Sequence, residues 1–496
     1  MKARFTLLTA GMILSGFFAF PVLAASNKSI QSQVASLQKE VAALKSQVRA
    51  DEASSGSGMV RRRQVAHTHA ISDSDVRLQE YLPFDPDVPG QAYVSSGPYI
   101  GVPIQYAGTE LIVNSPSVNL DLQLLEIRKS IITQLNATLG ESGIEATHSH
   151  LLLSGVIEGQ ANYTNHGGAP STTDINVTNM SFDVTILGPS DWILGFIEMS
   201  YNDGRPMSDV FQSTSNYRVS DSRVYLNKAF VTLGNLTCSP YYFTFGQFYV
   251  PFGTYSTVMV SDTLTKLLGR TKERAVEVGM SQQSKNSFYG SAYIFRGDAH
   301  VHSVAKVDNG GINLGYRFDL GFFRGKVGAG YLSNIADSAG MQLGTGFENE
   351  EQMIHRVPAY DLRASLSLGE HIDLIGEYIF TAERFNPYDM SYNNAGARPN
   401  ALDLEAAFSF CVFDRPSSIG IGYGKSYEAL AMGIPLTRES IVFNTSIWRN
   451  TLQSLEFRHD RQYAESAVAT GAGDTPVTSQ EGKQDNAVTL QFDYYF

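Results

Sequence analysis

Residues 486–496 most constrain what this chain can fold into, because apolar and polar side chains alternate there at every second position. The apolar positions are Val488, Leu490, Phe492, Tyr494 and Phe496, and the residues between them are Thr489, Gln491, Asp493 and Tyr495. A period of two residues indicates a β-strand with one apolar and one polar face. An amphipathic strand of about ten residues that ends in aromatic residues is typical of the closing strand of a bacterial outer-membrane β-barrel. In such a barrel we expect Phe496 to act as the barrel-assembly signal.

Residues 1–24 have the pattern of a secretory signal peptide. Lys2 and Arg4 are basic, residues 5–20 are mostly apolar, and residues 22–24 (Val-Leu-Ala) resemble a signal peptidase site. We therefore expect cleavage after Ala24 and export of the remaining chain. Beyond the signal, the chain has no run of about 20 apolar residues that a membrane-spanning helix would need.

The composition agrees with an exported barrel and argues against a nucleic-acid partner. Only 17% of the residues are charged, while the chain has 44 Gly, 25 Tyr and 28 Phe. The net charge of −12 becomes −14 when the two cations of the signal peptide are removed. A chain with this excess of acids lacks the basic surface that binding to nucleic acid requires.

The segment 25–50 carries a heptad pattern that predicts a periplasmic coiled coil. Its apolar seam is Ile30, Val34, Leu37, Val41, Leu44 and Val48. Spacings of four and three residues, with Val at a and Leu at d, favour a parallel coil that would link copies into a homo-oligomer. A lone amphipathic helix lying on another surface is the alternative. Residues 51–70 follow as a linker rich in Ser and Gly, with three arginines at 61–63.

Residues 71–148 do not have the pattern of barrel strands. Five prolines interrupt the first part, and an apolar periodicity predicts a helix over 119–138. The sequence leaves open whether this segment lies in the periplasm or inside the barrel.

From 149 to 496 the chain alternates strand patterns with connections that are by turns short and long. Connections after even-numbered strands are short and those after odd-numbered strands are long. An even strand count with this alternation is typical of an outer-membrane barrel with short periplasmic turns, so both chain ends are expected in the periplasm. The predicted strands are 149–163, 174–187, 191–203, 221–234, 241–249, 273–282, 286–297, 310–319, 323–334, 356–368, 371–384, 400–413, 417–427, 438–449, 451–463 and 486–496. The predicted fold is therefore all-β, a 16-stranded antiparallel transmembrane barrel.

Several predicted strands place charged side chains opposite an apolar face that would contact outer-membrane lipid. We expect a water-filled channel, since eight strands enclose only side chains and sixteen leave a lumen. The residues expected to face the lumen are Arg317, Asp319, Asp361, Arg363, Asp403 and Glu405. They carry both signs, so the wall by itself does not predict an ion preference.

Patterns that would indicate a cofactor, a metal or catalysis are scarce. Cys238 and Cys411 fall on opposite sides of the predicted barrel, farther apart than the ~7 Å that a disulfide can bridge. Two His-X-His pairs, at 67–69 and 148–150, lack a third ligand nearby. No local pattern pairs a nucleophile with a histidine, so the sequence predicts no enzyme, no metal site and no cofactor.

The long connection after the fifth strand carries a cluster of cations. Residues 246–255 read Gly-Gln-Phe-Tyr-Val-Pro-Phe-Gly-Thr-Tyr, and the later stretch 264–274 has four basic residues and one acid. The basic residues are Lys266, Arg270, Lys272 and Arg274. In barrels of this size the third external loop commonly folds into the lumen, and cations in a constriction favour anionic solutes. A solvated loop with ordinary basic residues is the alternative.

The order of these segments resembles the LbtU-type siderophore porins, the family of the legiobactin receptor of Legionella-like bacteria. The likeness covers the signal peptide, the short coiled coil, residues 111–122 and 154–163, the 246–255 motif and the terminal Phe. It implies uptake of a ferric siderophore of the anionic polycarboxylate type without energy coupling through TonB. The strand count agrees, since TonB-dependent receptors are plugged barrels of 22 strands.

Two other functions stay open at this point. The chain is also similar to general or anion-selective porins of the phosphate type, which carry a comparable strand end and a basic lumen. The remaining alternative is a structural or adhesive barrel whose long loops face another cell. Under each interpretation we expect the barrel-assembly machinery and outer-membrane lipid as partners.

Overall fold

The computed structural model describes most of residues 150–496 and a short segment before them. The described residues are 119–126, 128, 150–167, 170–188, 190–202, 223–301, 306–345, 347, 352–369, 371–413, 415–448, 451–472, 476–478 and 483–496. The predicted signal peptide, coiled coil, linker and most of 71–148 lie outside them.

Sixteen antiparallel strands form a closed barrel in which each strand pairs with its sequence neighbours and the last pairs with the first. The strands are β1 His150–His166, β2 Thr172–Leu187, β3 Ile193–Asn202, β4 Arg223–Gly234, β5 Tyr241–Tyr249, β6 Lys272–Ser281, β7 Ser287–Phe295, β8 Asn309–Asp319, β9 Phe323–Leu332, β10 Ala359–Leu368, β11 Ile372–Thr381, β12 Asn400–Val412, β13 Arg415–Tyr427, β14 Thr437–Thr445, β15 Thr451–Arg461 and β16 Gln484–Tyr495. The predicted 16-stranded barrel is confirmed, and every predicted strand matches one observed strand with ends that differ by a few residues.

The barrel closes where β16 meets β1. The Gly155 N–H donates to the Phe496 carbonyl at 2.9 Å, and the Phe496 N–H donates to the Gly155 carbonyl at 3.1 Å. A Cβ atom at Gly155 would lie 2.6 Å from the Phe496 ring and would also collide with the Ser181 carbonyl. Glycine is therefore required at 155 for the terminal ring to lie against the wall.

The outer face of the wall is apolar, as a barrel surrounded by lipid requires. Leu314 and Leu490 are 60% and 54% exposed. Tyr331, Tyr360 and Phe380 form a row across β9, β10 and β11, with ring centroids 5.4 and 5.5 Å apart. None of the helices in the described part of the chain is long and apolar enough to cross a membrane.

The long connections carry their own small elements. These are the helices Leu264–Gly269 and Ala339–Gly344, the 3-10 turns Ile335–Asp337 and Leu430–Met432, a strand pair of His300–Val301 with Gln352–Met353, and a four-stranded sheet of Ser391–Tyr392, Ala395–Gly396, Val468–Thr470 and Pro476–Thr478. Buried apolar residues such as Met341, Phe385 and Leu430 pack these connections together.

Asp337 joins two of the long connections. Its carboxylate accepts hydrogen bonds from the Asp298 and Ala299 N–H groups at 2.8 and 2.9 Å and from the Asn309 amide at 2.6 Å. Burial raises the pKa of Asp337 to about 6, although these hydrogen bonds favour the ionised form. The link between the two connections is therefore sensitive to pH near neutrality.

Candidate functional site

The connection between β5 and β6, residues 250–271, folds into the barrel and is called the lumen loop below. Its ends meet where the Val250 N–H donates to the Thr271 carbonyl at 3.0 Å. Thr263 caps the helix Leu264–Gly269 by accepting from the Lys266 N–H at 3.1 Å. Val258 and Met259 pack against Ile375, Ala407 and Val442 on β11, β12 and β14. The loop therefore lies on the inner wall opposite the strands from which it starts.

Glu377 on β11 holds the first part of the lumen loop. Its carboxylate accepts from the Thr254 N–H at 2.6 Å, from the Tyr255 N–H at 3.2 Å and from the Thr265 hydroxyl at 2.8 Å. Glu377 is 5% exposed. A buried carboxylate with several donors is a strong attachment point, because charged hydrogen bonds are worth more than neutral ones.

Two further glutamates hold the next part of the lumen loop in the same way. Glu405 on β12 accepts from the Thr257 hydroxyl and from the Val258 N–H, the latter at 2.8 Å. Glu456 on β15 accepts from the Val260 N–H at 2.6 Å and from the Ser261 N–H at 3.0 Å. Three wall carboxylates on three different strands thus fix the backbone of one loop.

A second element lies inside the barrel against a different part of the wall. Residues 120–126 and 128 are helical, within the predicted helix 119–138. Asp121 accepts from the Thr244 hydroxyl at 2.6 Å, and Arg128 donates to the Ser190 and Ile193 carbonyls at 3.0 and 3.2 Å. The described part of segment 71–148 is therefore inserted into the lumen, near the short turn between β2 and β3.

The lumen retains a cavity of about 700 Å³ between the lumen loop and the wall made by β1 to β5, β15 and β16. Polar groups line it, among them the rings of Tyr201, Tyr225 and Tyr249. The charged residues in the lining are Glu158, Asp174, Asp183, Glu198, Asp262, Lys228, Lys266, Arg270 and Arg458. A cavity of this size can hold a compact ligand.

Three of the four cations in this lining have a carboxylate close by, which for Arg458 is Asp460 at 3.2 Å. The ammonium of Lys228 lies 2.5 Å from Glu198, and that of Lys266 lies 2.5 Å from Asp262. Burial would raise the pKa of Asp262, but the charges of Lys266 and Arg270 outweigh it and lower that pKa. Lys266 is therefore part of an ion pair at the cavity wall.

Arg270 differs from these cations. Among the described residues no carboxylate lies within ion-pair distance of its guanidinium, which stacks over the Tyr249 ring at 4.9 Å. Burial would lower the pKa of Arg270, but the neighbouring Tyr249 and Asp262 outweigh it and raise that pKa. Arg270 therefore presents a stable positive charge to the cavity.

The structure separates the other two residues of the predicted cation cluster. The Lys272 ammonium donates to Asn227 Oδ1 at 2.9 Å and lies 5.5 Å from the Tyr225 ring, beside the cavity. Arg274 does not belong to the constriction. It is exposed together with Val276, and both line an outer groove of the wall.

The remaining residues that the sequence placed in the lumen have varied environments. Arg363 pairs with Asp361 and both are buried, and Arg317 pairs with Glu126 of the inserted helix. Asp403 is buried on the face that carries Glu405. Asp319 instead belongs to the turn between β8 and β9, where its carboxylate accepts from the Gly321 N–H at 2.9 Å.

Sequence reasoning missed several residues of the site. Glu456 and Lys228 are buried on inner faces and hold the loop and the cavity wall, but nothing in their local sequence distinguishes them from other strand residues. The sequence offers one general signal for such residues, which is a charged side chain at an inward position of an amphipathic strand. Many other strand residues share that signal.

No metal or disulfide site is found in the part of the chain that the structure describes. It contains no group of three His, Cys, Asp or Glu side chains suited to holding a metal ion. Cys238 and Cys411 are both exposed free thiols.

Comparisons with known proteins identify relatives by sequence. No protein-family model matches the chain. A UPF0422 protein of Coxiella burnetii is 37% identical over 407 residues, which cover 81% of this chain and 84% of the relative. A UPF0422 protein of Legionella pneumophila is 34% identical over 457 residues, which cover 87% and 82%.

Two solved structures are similar to this chain at low sequence identity. The outer membrane channel DcaP of Acinetobacter baumannii is 12% identical, with a TM-score of 0.47 over 70% of this chain and 98% of that one. The anion-selective porin of Comamonas acidovorans is 10% identical, with a TM-score of 0.47 over 70% and 100%. These likenesses do not extend to a transported solute.

Proposed function

The chain belongs to the UPF0422 protein family, and we propose that it is an outer-membrane channel for TonB-independent uptake of an anionic solute, a ferric siderophore of the polycarboxylate type. The observation that carries this proposal is the lumen cavity of about 700 Å³ with the charged Arg270 in its lining. The apolar outer face and the sixteen strands support a location in the outer membrane. Long connections then face the outside, and both chain ends face the periplasm.

Arg270 supplies the chemistry that such a solute needs. A guanidinium presents several donors in a plane that matches the two oxygens of a carboxylate. Its stacking on Tyr249 orients the group without neutralising it. In a lumen with low-dielectric walls this charge attracts an anion more strongly than the same charge on a surface.

The filling of the lumen favours a selective channel over a wide pore. The lumen loop occupies the wall at β11 to β15, and the described helical residues contact β3, β5, β6 and β8. A solute must therefore pass the remaining cavity and its charged lining. This arrangement suits a ligand that is bound on its way through.

A general or anion-selective porin is the second candidate. Glu158, Asp174 and Asp183 in the same lining make the cavity mixed in charge, which would weaken selectivity for one anion. An adhesive barrel is the third candidate, supported by the packed elements of the long connections. Under all three candidates we expect Phe496 to direct assembly of the barrel and the 25–50 heptads to link copies of the chain.

Single-channel conductance in planar bilayers, with and without ferric citrate as a polycarboxylate probe, tests the proposal. We expect a small conductance that ferric citrate blocks. Arg270→Glu should weaken the block by about tenfold or more, since a charged hydrogen bond contributes about 1.5 to 3 kcal/mol. Arg274→Glu is the matched control, because it reverses the same charge on the outer face.

The outcomes separate the three candidates. Anion-selective conductance without block would support the general porin, and absence of conductance would support the adhesive barrel. Equal effects of Arg270→Glu and Arg274→Glu on the block would refute a role for the cavity cation.

A further inference from the structure

The outer face of the barrel carries a groove beside the residue that the sequence had placed in the constriction. The groove has a volume of about 490 Å³ and crosses β4 to β7. Its apolar wall includes Leu226, Phe245, Val276 and Ile294, which are 39% to 55% exposed. Isolated exposed apolar side chains are expected on a barrel surrounded by lipid, but a concave site with a cation in its lining is not.

Arg274 is held at this groove by a neighbouring side chain. The Gln247 amide nitrogen donates to the Leu226 and Asn227 carbonyls at 3.3 and 3.0 Å, which fixes the amide across the gap between β4 and β5. The Gln247 carbonyl oxygen then accepts from Arg274 Nε at 3.5 Å. Within the described residues no carboxylate forms an ion pair with Arg274.

Further cations lie at the same end of these strands. Arg296 is exposed one position beyond Phe295, which pairs with Ala275, so it lies across from Arg274. Lys306 is exposed next to Val307, which lines the groove. Arg356 pairs with Asp308 near by. The outer surface here combines apolar side chains toward the middle of the strands with cations toward the long connections.

We propose that this groove binds a phosphorylated glycolipid of the outer leaflet, with the phosphate on Arg274 and an acyl chain along Phe245 and Ile294. The inference rests on the proposed outer-membrane location. Arg274 is the third residue of β6, at the end near the long connections. A membrane-spanning strand has about 9 to 11 residues, so this position lies at the level of the outer headgroups.

The chemistry of the groove matches both parts of such a lipid. A guanidinium binds a phosphate through paired hydrogen bonds, and the exposed Arg296 adds a second positive charge. The apolar wall below the cations can bury an acyl chain, and burial of each CH₂ group is favourable.

The test measures retention of lipid A by the purified full-length protein in detergent, using native mass spectrometry. Arg274→Gln should lower retention about fivefold, and Arg274→Gln with Arg296→Gln about 25-fold, from the attraction of one cation to an anionic lipid surface. Lys285→Gln, an exposed cation in the short turn between β6 and β7, is the matched control and should have no effect. Ile294→Asn should lower retention without removing a charge.

Additional arms identify the ligand and separate this inference from the channel proposal. Dephosphorylated lipid A should be retained at the level of the Arg274 variant, and excess inorganic phosphate should not displace lipid A. Conductance and its block by ferric citrate should be unchanged in Arg274→Gln. The proposal would be overturned if wild type and Arg274→Gln retained lipid A equally, or if phosphate displaced lipid A. It would also be overturned if Arg274→Gln changed the oligomeric state, because a second copy of the chain would then cover the groove.

Discussion

We predict that Glu377→Gln releases the lumen loop from the barrel wall. The substitution preserves the shape of the side chain and leaves no cavity. The Glu377 carboxylate accepts hydrogen bonds from the Thr254 and Tyr255 N–H groups and from the Thr265 hydroxyl. The amide that replaces it is uncharged and has a single acceptor oxygen. The loop should therefore open more often without unfolding the barrel.

The size of the effect follows from the two backbone donors. Hydrogen bonds to a charged group contribute about 1.5 to 3 kcal/mol, and neutral ones about 0.5 to 1.5 kcal/mol. Loss of the charge at both donors should lower the free energy of loop opening by about 2 to 3 kcal/mol. The open population should then rise about 30- to 150-fold.

Thiol labelling at Leu268 measures this population. Leu268 lies in the lumen loop and is 0% exposed, so a cysteine placed there reacts only when the loop opens. The background should carry Cys238→Ser and Cys411→Ser, because both native thiols are exposed. When opening and closing are fast, the labelling rate follows the open population.

Glu439→Gln is the matched control, since Glu439 is an exposed carboxylate on β14. It should leave the labelling rate unchanged. The assignment of Glu377 as the attachment point would be refuted if the labelling rate of the Glu377→Gln variant stayed at the parent value. An equal rise of the labelling rate in the Glu439→Gln control would refute it as well.

Three further outcomes are expected. An impermeant maleimide should label Ser466→Cys on intact cells but not Lys285→Cys, since Ser466 lies in a long connection and Lys285 in a short turn; the reverse pattern would invert the topology. Gly155→Ala should destabilise the barrel by about 1 to 3 kcal/mol in urea unfolding, because a Cβ would collide with the Phe496 ring, and an unchanged midpoint would contradict this. Because the folded-state pKa of Asp337 is raised from 3.8 to about 6, its contribution to stability is present below pH 3.8 and is lost as pH rises through about 6. The melting temperature of wild type relative to Asp337→Asn, measured by calorimetry, should therefore fall over this range.

The number, order and pairing of the barrel strands could be predicted from the sequence. Alternation of apolar and polar residues is a local property, and it is complete within a segment such as 486–496. The alternation of short and long connections then determines which strands are neighbours. Antiparallel hairpins joined in chain order admit one closed arrangement for sixteen strands, so local patterns were sufficient for the fold.

The contents of the lumen depended on the tertiary structure. Asp121 meets Thr244 across 123 positions of sequence, and Val260 meets Glu456 across 196. A carboxylate on an inner face has the same local pattern whether it lines a channel or holds a loop. The distinction arises only when the donors of a distant segment reach it.

The basic cluster is an example of side-chain positions that the sequence did not predict. Arg270 and Arg274 are four residues apart, and composition groups them together. Arg270 belongs to the lumen loop, whereas Arg274 belongs to β6, which begins at Lys272. The loop places the Arg270 guanidinium over the Tyr249 ring at the cavity, and β6 places Arg274 beside Val276 at the outer groove. Local sequence does not determine which side of the wall each charge faces, because that depends on where the loop packs and how the barrel closes.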